Sequence, residues 1–138
     1  RLEVKQQIDG SIIIDDAFNS NPPGFRAAMH VMRVLADDRE GRAILVTPGI
    51  VELGSAHDEV HRTLGTLAAE VCDIVLLVSP SRIPTFIEGY NSGANGKTLQ
   101  QFETFSAAQK WLIENKRSND VILLENDLPD IYERVLKI

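Results

Sequence analysis

The sequence predicts an α/β domain, with a mostly parallel sheet, helices on both faces and a β-hairpin at the N-terminal edge. Three observations point there. Short apolar runs of buried-strand type alternate with stretches of helical period. The chain has 138 residues, 43% of them apolar, enough to bury one core. Its opening stretch reads as two strands joined by a tight turn and not as a strand followed by a helix.

The elements follow in order. Residues 2–7 alternate apolar and polar, and Asp9-Gly10 separates them from Ser11-Ile12-Ile13-Ile14-Asp15. Asp-Gly between two β-rich runs signals a hairpin, with both turn positions expected at positive φ. Residues 24–36 place Phe25, Ala28, Met29, Met32 and Leu35 at helical spacing. Residues 42–47 form a buried strand that Pro48-Gly49 stops. Ser55 is expected to N-cap the next helix, which carries Val60, Leu64, Leu67, Ala68 and Val71 on one face. Residues 73–78 are a second buried strand, followed by Ser79-Pro80-Ser81 and a helix over 83–90. Residues 91–96 read as a loop, 98–102 as a short strand, 106–115 as a helix, 120–124 as the last strand and 128–136 as the last helix. The alternation is Rossmann-like. In such sheets ligands sit outside the carboxyl ends of the strands, which directs attention to residues 15–23, 48–61, 79–82 and 125–128.

Composition narrows the function classes. The net charge of −6 counts against nucleic acid as a partner. The lone Cys72 cannot form an internal disulfide, and it ends an apolar helix face as a core thiol would. No apolar run approaches the ~20 residues needed to cross a bilayer. With no apolar leader and no initiator Met, the chain is expected to be a piece of a larger cytoplasmic protein.

Several near-motifs fail on chemistry. Gly49-Ile50-Val51-Glu52-Leu53-Gly54 has the glycine spacing of a phosphate-binding loop, but Ser55 stands where lysine must reach the phosphates. Gly96-Lys97-Thr98 has the right ending, with Asn91 in place of the earlier glycine, and it leads into a strand. His57 and His61 stand at i and i+4 as in zinc proteases, but Asp58 replaces the required Glu, so both read as borders of the apolar stripe. No G-x-G-x-x-G or G-x-S-x-G occurs.

The informative segment is Asp15-Asp16-Ala17-Phe18-Asn19-Ser20-Asn21-Pro22-Pro23, at a strand-to-helix junction. Its carboxylates and amides offer acceptors and donors to a ligand in the cleft. Equally, Asn21 can serve as an N-cap and Asp16 as a turn residue.

This segment, together with Arg1-Leu2-Glu3-Val4, Phe25-Arg26-Ala27-Ala28, Val51-Glu52-Leu53-Gly54 and Val60-His61-Arg62-Thr63-Leu64-Gly65, resembles the C-terminal domain of a Mur ligase. It is most like the D-alanyl-D-alanine-adding (UDP-N-acetylmuramoyl-tripeptide) type, whose pattern is D-D-A-Y-N-A-N-P. The resemblance implies an ATP-dependent amide ligase of peptidoglycan precursor synthesis. It implies that residues 1–138 are one C-terminal domain, which closes over ATP and binds the incoming amino acid or D-alanyl-D-alanine beside a UDP-muramoyl peptide. ATP and Mg2+ would be held mainly by a central domain that carries the phosphate-binding loop. Residue by residue, Arg1 and Asp16 fall on the nucleotide side, and Asn19, Asn21 and His61 on positions facing the incoming substrate. No catalytic group and no metal ligand is implied within this stretch. The alternatives are a non-catalytic module of the same fold and a free-standing α/β binding domain.

Two stretches depart from that pattern. Pro48-Gly49-Ile50 replaces G-D-M, and Glu125-Asn126-Asp127-Leu128 replaces a K-G-S-R stretch. An acidic rim at the second place is expected to disfavour a substrate carboxylate.

Overall fold

A computed structural model describes residues 2–17, 21–93 and 97–126. The expected helix over 128–136 lies outside these residues. In chain order the elements are β1 (Glu3–Gln6), β2 (Ile12–Asp16), α1 (Pro22–Asp38), β3 (Ala43–Thr47), α2 (His57–Val71) and β4 (Ile74–Val78). After these come α3 (Pro84–Gly93), β5 (Thr98–Phe102), α4 (Phe105–Asn115) and β6 (Val121–Glu125).

The six strands form one sheet in the order β1-β2-β6-β3-β4-β5. Only the β1–β2 pair is antiparallel. The chain steps from β2 over a gap to β3, then to β4 and β5, and returns through α4 to insert β6 into the gap. Side chains alternate along each strand, so the sheet has two apolar faces. Ile14, Leu45, Val75, Leu77, Val121 and Leu123 pack against α1, α2 and α3. Ile13, Ile44, Val46, Leu76, Ile122 and Leu124 pack against Phe105, Ala108 and Leu112 of α4. Helices therefore cover both faces, as the apolar strands predict.

The structure differs from the sequence reading at several boundaries. The hairpin connection spans residues 7–11, and of the Asp-Gly pair only Gly10 has positive φ, at 96°. Asp9 instead bends the chain with its side chain, accepting from the Ser11 N–H at 2.9 Å and the Ser11 hydroxyl at 2.7 Å. Ser55 does not cap α2; it lies in a 3-10 turn, Gly54–Ala56, and Ala56 holds the cap position without a side-chain bond. α3 runs on to Gly93 through residues read as loop, because its last turn still packs on α2, where Gly93 faces Ala69. β6 includes Glu125, since a glutamate at the end of an apolar run reads as loop when burial is not visible.

Candidate functional site

The strand order reverses at β6, between β2 and β3, and the carboxyl ends of these three parallel strands lie side by side. Such a reversal opens a crevice in doubly wound sheets. The side chains at its floor follow from register. Asp16 and Glu125 are aligned partners in the β2–β6 ladder. By alternation from Ile14, Leu123 and Leu45, the side chains of Asp16, Glu125 and Thr47 all fall on the face covered by α1–α3. Asp15 falls on the opposite face, where it accepts from the Ala17 N–H at 3.2 Å and lies 3.6 Å from the Lys5 ammonium. The two neighbouring aspartates are thus divided between a turn and the crevice.

Polar groups in the crevice are buried. Asp16 is 3% exposed, and Thr47, Glu125 and Asn126 are fully buried. The Thr47 hydroxyl donates to the Glu125 carbonyl at 2.9 Å and accepts from the Gly49 N–H at 3.0 Å, locking the end of β3 to the end of β6. The Asn126 N–H reaches the Asp16 carbonyl at 3.4 Å, and Asn126 takes a left-handed backbone with φ 63°. The Glu125 carboxyl lies against that of Asp16, and neither amide atom of the Asn126 side chain has a hydrogen-bond partner. Burial, and after it the nearby Asp16 carboxylate, push the Glu125 acid up to about 10. Glu125 is therefore a neutral acid at pH 7. The acidic rim expected from the sequence is not an exposed charge at this position, and Asp127 lies outside the described residues.

A second cluster holds the β3–α2 loop. His61 of α2 is fully buried. Its Nε2 accepts from the Ile50 N–H at 3.0 Å, so Nδ1 carries the proton and donates to the His57 carbonyl at 2.7 Å. Burial first, with the Arg82 guanidinium adding to it, holds its pKa below the usual imidazole value. Gly49, at φ 84°, lies against the ring; a Cβ there would stand 2.7 Å from His61 Nε2. Arg82 donates to the Pro48 carbonyl at 2.7 Å and the Ile50 carbonyl at 3.4 Å, while the His57 Nε2–H donates to the Arg82 carbonyl at 2.8 Å. The loop presents Glu52 in the left-handed region at φ 62°, and Ser79 after β4 is at φ 52°. Left-handed backbone at non-glycine residues is costly and gathers where ligands bind.

The remaining positions singled out in the sequence are spread. Asn21 is exposed and N-caps α1, accepting from the Gly24 N–H at 2.7 Å. Arg1 and Asn19 lie outside the described residues. Asp16 stands at the end of β2, whereas His61 sits beneath the loop that follows β3, two places along the sheet. Neither Thr47 nor Arg82 carries a motif: Arg82 was legible only as a member of the segment 79–82, and Thr47 only as the last residue of the strand read over 42–47.

An open, mostly parallel sheet with buried acid and amide groups at a strand-order reversal defines a Rossmann-like α/β domain. A family model described as "Mur ligase, glutamate ligase domain" matches residues 1–125, and the chain belongs to that family. The resemblance read from residues 15–22 and the motifs around it is borne out by this match. The chain is 34% identical over 80 residues to the UDP-N-acetylmuramoyl-tripeptide--D-alanyl-D-alanine ligases of Mycobacterium tuberculosis (strain ATCC 25618 / H37Rv) and Mycobacterium bovis (strain ATCC BAA-935 / AF2122/97). These matches cover 56% of this chain and 16% of each relative, so the chain spans a small part of their length. The fold is shared with MurF from Acinetobacter baumannii, at TM-score 0.72 and 24% identity over 99% of this chain and 30% of that one. It is shared too with a domain from a putative UDP-N-acetylmuramate:L-alanyl-gamma-D-glutamyl-medo-diaminopimelate ligase from Haemophilus ducreyi 35000HP. There the TM-score is 0.65 and the identity 18%, over 99% of this chain and 98% of that one.

Proposed function

We propose that residues 1–138 are the C-terminal domain of a larger ATP-dependent, C–N bond-forming Mur-type ligase of peptidoglycan precursor synthesis, acting in the cytoplasm. The observation that carries this reading is the family-model match over residues 1–125 of a chain that carries the Asp-Asn-Pro segment, with Asp16 at the end of β2. In this reading the domain closes over nucleotide and over a UDP-muramoyl peptide held by the enzyme's own central and N-terminal domains. The incoming amine, an amino acid or D-alanyl-D-alanine, enters at the same edge.

The chemistry divides accordingly. ATP supplies the phosphoryl group that turns the peptide carboxylate into an acyl phosphate. The amine nitrogen then attacks the acyl carbon, the C–O bond to phosphate breaks, an amide forms and one proton is lost. The described residues include no nucleophile beside a general base, and no group of three or more His, Cys, Asp or Glu side chains placed for a metal ion. Mg2+, with ATP, would be held mainly by the central domain that carries the phosphate-binding loop. The Asp16 and Glu125 carboxyls and the Asn126 carboxamide offer the crevice both acceptors and donors. Asp16, with Arg1, is assigned to the nucleotide side, and Asn19 and Asn21 to the incoming substrate. His61 would serve that substrate through the loop it holds, since both of its ring nitrogens are already bonded.

The test is turnover by the full-length protein with ATP, a UDP-muramoyl tripeptide and a panel of amines. Equal amounts of ADP, phosphate and a new amide with at least one amine are expected. ATP-independent chemistry, or no amide with any amine, would overturn the reading.

A further inference from the structure

The hydrogen bonds around the loop after β3 close into a circuit. The Ile50 N–H donates to His61 Nε2 at 3.0 Å, His61 Nδ1–H to the His57 carbonyl at 2.7 Å, and His57 Nε2–H to the Arg82 carbonyl at 2.8 Å. The Arg82 guanidinium then returns to the loop, donating to the Pro48 carbonyl at 2.7 Å and the Ile50 carbonyl at 3.4 Å. Every link joins a side chain to backbone, so the circuit holds the course of the chain and not a particular pair of side chains.

Arg82 differs from the arginines that make ion pairs. Arg33, Arg42 and Arg62 each meet a carboxylate. Among the described residues no carboxylate pairs with Arg82, whose side chain bonds carbonyls alone. A guanidinium is a planar fork of donors, and here its two terminal nitrogens span two carbonyls of one turn. The backbone of Arg82 is anchored elsewhere. Its N–H donates to the Ser79 carbonyl at 3.2 Å, and the Ser79 N–H donates to the Phe102 carbonyl, at the end of β5, at 2.8 Å. Arg82 thus ties the loop after β3 to the ends of β4 and β5.

The loop needs such a hold. Gly49 and Glu52 both take left-handed backbone, at φ 84° and 62°. A non-glycine residue stays in that region only where its surroundings over-determine it. Glu52 is exposed, so its own side chain does not supply the constraint. Beyond it, Leu53 packs on the core and its carbonyl accepts from the Ala56 N–H at 3.1 Å. Before it, the constraint is the circuit closed by Arg82.

We infer that Arg82 is a positioning residue for the ligation proposed above, fixing the loop of residues 48–53 through its two carbonyl bonds and the circuit they close. The inference rests on the ligase reading for the reaction affected, whereas the circuit stands on the geometry. Arg82 acts through the loop and on no reacting group. Without it the loop shares its time among several shapes. Apparent affinity then falls by the fraction of time spent in the competent one, while the chemistry after binding is unchanged. The loss should therefore fall on KM for the incoming amine and not on kcat.

The test uses the full-length enzyme and its Arg82→Ala and Arg82→Lys variants. In Arg82→Ala, hydrogen exchange read by mass spectrometry should rise several-fold in peptides covering residues 48–53, with β3, β4 and the melting temperature unchanged. The KM for the amine should rise several-fold, while kcat and the KM for ATP hold. Guanidinium ion at a non-denaturing concentration should restore both readouts in Arg82→Ala and leave the parent unaffected. Arg82→Lys keeps a charged donor without the fork. It should lie between parent and Arg82→Ala, and it carries the test if the alanine variant misfolds. Unchanged exchange over residues 48–53 would overturn the positioning role. So would a rise spread over the strands with a lowered melting temperature and no rescue, the mark of a merely structural residue. Normal amide formation with an unaltered amine KM in Arg82→Ala would also overturn it and leave the ligase reading standing. A loop loosened in Arg82→Ala and re-formed by guanidinium, in an enzyme whose parent makes no amide from any amine, would uphold the hold on the loop and sink the ligase reading.

Discussion

Glu125 and His61 are each buried in the protonation state that carries no charge, and they couple stability to pH in opposite directions. Glu125 is raised from 4.5 to about 10, so the folded state holds a proton that the unfolded chain releases above pH 4.5. Its contribution is complete below pH 4.5 and declines as pH rises toward 10. Glu125→Gln should remove that decline and raise the melting temperature at pH 8; an unchanged slope between pH 5 and 9 would show the acid to be ionised in the fold. His61 is lowered, so protonation of the unfolded chain below its ordinary value of 6.5 drains stability as pH falls. His61→Phe leaves the Ile50 N–H without an acceptor and should cost about 2 kcal/mol at pH 7.5, read by urea denaturation. At this scale the sequence shows which residues matter better than what they do. The spacing of His57 and His61 is visible at once, but the carbonyl and amide that bind each ring nitrogen depend on a loop folding back from β3. Glu125 reads as a surface charge because nothing local announces its burial.

At the level of elements, α2 packs closely on α3. A Cβ on Gly65 would stand 2.0 Å from the Phe86 carbonyl oxygen, and one on Gly89 the same distance from that of Arg62. Both neighbours are backbone, so relief requires the helices to part. Gly65→Ala should therefore cost about 3 kcal/mol or more, whereas Gly54→Ala, where a Cβ meets nothing within 4 Å, should cost mainly the strain of its φ of 57°. Thermal melts of the two variants separate close approach from backbone strain. Asn21→Ala should cost about 1 kcal/mol through loss of the α1 cap. The strands and helices were legible because apolar period is a local property. The hairpin turn, the start of α2 and the end of α3 were not, because Asp9 bends the chain through its side chain and α3 is extended by its contact with α2.

For the whole molecule, a mostly parallel sheet with helices on both faces gathers the ends of β2, β6 and β3 into one crevice. The order of strands was not legible, since nothing in residues 120–124 announces insertion between β2 and β3, and so the pairing of Asp16 with Glu125 was hidden too. The sequence carries no G-x-x-x-x-G-K-[ST] loop, and the chain, purified by itself, should release no phosphate from ATP above background. The central claim is that the crevice edge of this domain serves ligation and not folding. It is tested most directly by amide formation in the full-length enzyme carrying Asp16→Ala, with the melting temperature recorded on the same sample. The account predicts that ligation falls by at least about tenfold, on the order of 1.4 kcal/mol in the transition state, while the melting temperature stays within a few degrees of the parent. Unchanged turnover with a clearly lowered melting temperature would contradict it and make Asp16 a structural residue.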